Sequence, residues 1–115
     1  MAPKARITFA AAALRDLEDM REYYASEGVP EIGQRLTAEI VTRIERLRDH
    51  PSSGRIVPEF QVAQLREIIH PPFRIVYRHD RNTARVVRVW RSERLLTMAP
   101  PRRTRPRGTT APRKR

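Results

Sequence analysis

The hydrophobic pattern of this chain changes period once, near Pro51, and that change decides what it can fold into. Before it, apolar residues recur every three or four positions; after it, they alternate. The spacing predicts a helix with Leu14, Leu17, Met20 and Tyr24 on one stripe and Asp16, Glu18, Arg21 and Glu22 on a polar side. Gly28 suits a left-handed C-terminal cap, and Pro30 suits the first turn of a second helix. That second helix carries Leu36, Ile40, Ile44 and Leu47, with Val41 widening the stripe, and it must stop before Pro51.

Beyond Pro51, Leu65–His70, Phe73–Arg78 and Arg85–Arg91 are rich in β-branched and aromatic residues and read as strands. In the middle strand Phe73, Ile75 and Tyr77 share one face, and Arg74, Val76 and Arg78 share the other. His79–Thr83 is a polar hairpin turn, and Pro71–Pro72 breaks the pair before it. Arg6–Phe9 adds a short first strand. The order strand, helix, helix, strand, strand, strand predicts an α+β domain, with a helical hairpin on a mostly antiparallel four-stranded sheet.

Composition narrows the chemistry. The chain has 115 residues, enough for one domain, and its 39% hydrophobic content allows only a small core. Without cysteine there is no disulfide scaffold, thiol nucleophile, Cys-based zinc site or iron–sulfur cluster. No apolar run approaches the ~18 residues of a membrane span. Met1–Phe9 lacks the apolar stretch of a secretory signal, so a cytoplasmic protein without membrane contact is expected.

The charge is uneven. Seven of the basic residues lie in residues 99–115, which hold four of the ten prolines and no acid, leaving +4 of the net +11 for residues 1–98. The expected division is a folded domain over 1–98 and a disordered Arg/Pro-rich tail over 99–115. That tail is either a non-specific nucleic-acid contact acting by counterion release or a solubilising extension.

Candidate chemistry is sparse. His50, His70 and His79 lack metal-ligand spacing, Gly28, Gly33, Gly54 and Gly108 form no phosphate loop, and no cofactor is expected. Glu18, Asp19, Glu22 and Glu39 read as solvated helix residues. The sheet region is different: residues 65–94 contain eight arginines and no lysine. Arg66, Arg74, Arg78, Arg88, Arg91 and Arg94 are the candidate target- or partner-binding cations, because the guanidinium fork suits phosphate and carboxylate. Trp90 reads either as core or as an exposed anchor for a partner.

Three segments in order then carry a resemblance. They are Arg46–Glu59, containing Leu47, Pro51, Gly54-Arg55, and Val57-Pro58-Glu59; Leu65-Arg66-Glu67; and Phe73-Arg74-Ile75-Val76-Tyr77-Arg78. Together they resemble the ParE branch of the RelE/ParE superfamily of type II toxin–antitoxin toxins, over about residues 5–95. The resemblance implies a toxin that inhibits DNA gyrase by binding, without catalysis of its own. It also implies a cognate antitoxin, in a 1:1 or 2:2 complex, wrapping the sheet and the helical hairpin.

RelE-like relatives are instead ribosome-dependent mRNA endonucleases. On that alternative Glu67, Arg74, Arg91 and Arg94 would be the catalytic set, in a metal-independent ribonuclease. Such cleavage needs a proton acceptor, a proton donor and cations on the phosphate. The cations are present, but no Tyr or His follows His79, and Leu65 and Glu67 stand where those nucleases carry lysines. Trp90–Arg94 and the basic tail also depart from the usual ParE C-terminus.

Overall fold

A computed structural model describes residues 4–91. The order is β1 (Arg6–Phe9), α1 (Ala11–Ser26), α2 (Pro30–Glu45), a 3-10 turn (Arg46–Arg48), β2 (Arg55–Ile56), β3 (Leu65–His70), β4 (Phe73–Asp80) and β5 (Thr83–Arg91). The strands form one mixed sheet ordered β1-β5-β4-β3-β2. β1 runs parallel to β5, and every other pairing is antiparallel.

The α+β architecture is as the sequence predicts, with one correction: the sheet has five strands rather than four. The extra strand, β2, is two exposed residues long, too short for any alternation to register. It pairs Arg55 with Glu67 and Ile56 with Arg66. The β4–β5 turn is also tighter than expected, because the strands extend to Asp80 and Thr83. The tail boundary proposed at residue 99 lies outside the described residues.

Both helices pack on one face. Leu17, Met20, Leu36, Ile40, Ile44 and Leu47 meet Phe73, Ile75, Tyr77, Val86 and Val89 in the main core. The opposite face has a smaller cluster of Val57, Leu65, Val76 and Trp90, with Phe60 and Val87 packed against it. Burying a Leu- or Phe-sized side chain contributes about 1.5–3 kcal/mol, so the main core supplies most of the stabilisation.

Capping follows the sequence. Gly28 adopts φ +82°, Val29 N–H donates to Tyr24 C=O, and Gly28 N–H donates to Ala25 C=O, which closes α1. Pro30 occupies the first turn of α2.

Three side chains sit elsewhere than expected. Leu14 is 53% exposed, and Ala13, one residue earlier, takes its place against the sheet. Adjacent helical positions lie ~100° apart, so a stripe centred on Ala13, Leu17, Met20 and Tyr24 leaves Leu14 on its rim. Val41 is likewise exposed beside the stripe of α2. Asp16, read as part of the polar side of α1, points back to the sheet.

Candidate functional site

The three segments that carry the resemblance converge on one place. β3 sets Glu67 beside Arg55 of β2, and Arg74 of β4 lies diagonally across from it. The Glu67 side chain is fully buried, and Arg74 is 8% exposed. Charges so removed from water need partners, and each has them. Arg74 Nε donates to Glu67 Oε1 at 2.7 Å, while Nη1 and Nη2 each donate to Glu59 at 2.9 Å. Arg55 Nε donates to Glu67 Oε2 at 2.6 Å. Two guanidiniums and two carboxylates thus form a closed, formally neutral chain.

The electrostatics agree with the geometry. The Arg74 guanidinium holds the Glu59 carboxyl down at about 2, and Glu59 in turn raises Arg74 above the usual arginine range.

On the other side of the sheet Tyr77 performs a related task. Its hydroxyl accepts from Gly54 N–H at 2.9 Å and donates to Pro51 C=O at 2.7 Å. Burial pushes its pKa up. A Cβ on Gly54 would stand 2.7 Å from both Glu67 O and Tyr77 Oη, so glycine is required for this close approach. Arg66 Nη1 donates to Ser52 and Gly54 carbonyls and its Nε to Ala63 C=O. Pro51, Gly54, Arg55, Glu59, Arg66, Glu67, Arg74 and Tyr77 therefore pin the loops around β2 onto the sheet.

The remaining candidate residues are distributed differently. Between β4 and β5 the register shifts, with Val76 opposite Arg88 but Tyr77 opposite Val86, so Val87 is an extra residue. The bulge turns Arg88 away from Arg74 and Arg78 toward α1, where it makes two bonds to Asp16 at 2.8 and 2.9 Å. Asp16 also accepts from Val89 N–H at 2.9 Å. It stands in for a neighbouring strand where β5 runs past the end of β1. Trp90 is buried, with the Arg88 guanidinium 4.5 Å from its ring centroid. Arg91 lies over Phe73 at 5.7 Å. Arg78 is exposed. Arg94 lies outside the described residues.

A groove of about 480 Å3 runs between this end of β5 and α1, lined by Asp16, Asp19, Met20, Tyr23, Tyr24, Phe73, Val89, Trp90 and Arg91. It combines aromatic walls with both signs of charge beside a stretch of β5 that no described strand pairs, features suited to a protein segment. Tyr23 is exposed at its rim and meets Tyr24 edge-on.

Proton carriers are placed elsewhere. His70 bonds Glu39 through Nε2 and Arg43 through Nδ1. Among the described residues no group of three or more His, Asp or Glu side chains is arranged to hold a metal ion, and no helix is long and apolar enough to cross a membrane. Sequence reasoning missed Arg55, Glu59 and Asp16 as working groups. Arg55 and Glu59 stood inside the quoted motif, whereas nothing local marked Asp16.

Residues 7–96 match the sequence model of the family described as the ParE toxin of the type II toxin-antitoxin system parDE. Among solved structures, the chain is similar to the chromosomal ParDE toxin–antitoxin system from P. aeruginosa. That likeness has TM-score 0.67 and 21% identity, over 78% of this chain and 98% of the other. It is also similar to the toxin–antitoxin complex RelBE2 from Mycobacterium tuberculosis, with TM-score 0.58 and 21% identity over 76% and 98% of the two chains. No curated protein sequence matches the chain.

Proposed function

The chain belongs to the ParE toxin family of type II toxin–antitoxin systems, and from that premise we propose that it arrests growth by binding DNA gyrase in the cytoplasm, without cutting RNA, until an antitoxin neutralises it. One observation carries the choice between binding and cleavage. Arg74, which the nuclease alternative counts in its catalytic set, has its fork filled by Glu59 and Glu67.

A nuclease also needs a base and an acid beside that cation. Glu67 is fully buried between Arg55 and Arg74, with both oxygens occupied. Tyr77 is committed to the Pro51–Gly54 loop on the other face of the sheet. A pre-organised neutral network supports a rigid docking surface better than it supports phosphate chemistry.

The antitoxin reading is supported by the two neighbours, each of which comes from a toxin–antitoxin system. The groove between α1 and β5 is the surface best suited to it, because an amphipathic segment could place apolar side chains against Met20, Tyr24 and Phe73. The test is size-exclusion chromatography of toxin, refolded after release from its antitoxin, mixed with purified gyrase. A stable toxin–gyrase complex that adding antitoxin dissolves supports the reading. Toxin eluting alone in the presence of excess gyrase contradicts it.

A further inference from the structure

Arg78 and Arg85 face each other directly across β4 and β5. Both are exposed, and both lie on the face away from the helices, since Tyr77, Ala84 and Val86 point into the main core. Like charges directly opposite in a sheet are destabilising. Arginine on outer strands is readily explained as protection against edge-to-edge pairing. These two are not on outer strands: in the order β1-β5-β4-β3-β2, their row has β1 on one side and β3 on the other.

Among the described residues no carboxylate pairs with either arginine. The row reads Thr8, Arg85, Arg78, Leu65 across four strands. Arg85 Nη1 reaches only the Thr8 hydroxyl, at 3.3 Å. The next row toward the β4–β5 turn adds Arg6 opposite Thr83. Asp80 is also opposite Thr83, and it is the one acid on these rows. Among the described residues neither Arg6 nor Arg78 has an ion pair. Elsewhere on the same face Arg74 and Arg55 are neutralised by carboxylates. The contrast is between a paired half of the face and an unpaired half.

We infer that Arg78, Arg85 and Arg6 form a contact for the phosphate backbone of duplex DNA. A protein partner would need apolar anchors to desolvate. The exposed large apolar side chains lie on α1, α2, β2, β3 and the loop before β3, and none on β1, β4 or β5. A phosphate backbone needs no such anchor, because binding is driven by counterion release. Naming DNA rather than RNA rests on the gyrase reading; the charge of the face does not.

The experiment is fluorescence anisotropy of a labelled ~20-base-pair DNA duplex with the full chain at several salt concentrations. Gyrase is left out, so failure here is distinguishable from failure of the gyrase reading. R78Q/R85Q is expected to lower the slope of log affinity against log salt by about 2, as loss of two phosphate contacts requires. R15Q/R21Q removes the same net charge from exposed positions on α1 and is expected to change the slope by less than half as much. Removing the opposed charges should leave the melting temperature unchanged or raised, and the single variants, each expected to lower the slope by about 1, supply the test if the double variant fails to fold. Equal losses for the two double variants, or wild-type binding by R78Q/R85Q, overturn the inference. So does a loss seen only with an RNA duplex, or one seen only in antitoxin binding.

Discussion

Arg74 and Glu59 show at single-residue scale how a charge that looks available for ligand can be committed to the fold. Arg74→Ala would strand the buried Glu67 carboxylate and lower stability by about 3–5 kcal/mol, measured by urea unfolding. Lysine cannot reproduce the planar fork, so Arg74→Lys is expected to recover little of that loss. Glu59 is partly exposed, and Glu59→Gln should cost only about 1 kcal/mol after solvent screening. Its pH signature is more specific. Arg74 lowers the Glu59 carboxyl from 4.5 to about 2, so the stability it contributes is fully present above about pH 4.5 and is lost as pH falls toward 2. Unfolding midpoints of Glu59→Gln should therefore converge on those of the unaltered chain across that window. A constant offset down to pH 2.5 would show that the pair does not act through charge.

At the scale of elements, the two loops around β2 and the free end of β5 are held by side chains from distant parts of the chain. Gly54→Ala would push a methyl against a backbone carbonyl and a hydrogen-bonded phenol, neither of which can swing away. We expect a loss at or above the upper end of the ~1–3 kcal/mol typical of overpacking, read by thermal unfolding. Asp16→Ala would orphan Arg88 and the Val89 N–H together. A loss of about 2 kcal/mol is expected, with faster amide exchange at Val89 while the centre of β4 keeps its protection.

These elements also mark where legibility ends. α2 and β3–β5 were readable because each repeats one period over several residues, and Gly28 and Pro30 punctuate the helices by backbone constraint alone. The pairing of Arg74 with Glu59, although both stood in quoted motifs, required knowing that the loop before β3 folds back over β4. Asp16 meets Arg88 across 72 positions, through a bulge that no local pattern announces. Trp90, open between core and anchor in the sequence, is buried.

Over the whole molecule, charge is sorted by position rather than spread. One half of the helix-free face is a neutral network that fixes loops, and the other half is an arginine row with no ion pair among the described residues. The groove beside β5 is a third, mixed surface. Apart from Arg78, the polar residues of the family motifs serve the first of these, which is why the motifs identify the fold so well and say little about chemistry. A toxin built this way should act through the surfaces that its scaffold presents. The most direct measurement is a gyrase supercoiling assay on relaxed plasmid, run beside primer extension on mRNA in a translating extract. Gyrase binding predicts loss of supercoiling, restored by antitoxin, with uncut mRNA. Cleaved mRNA with normal supercoiling would contradict it, and would mean that Arg74 leaves its carboxylates to meet a phosphate.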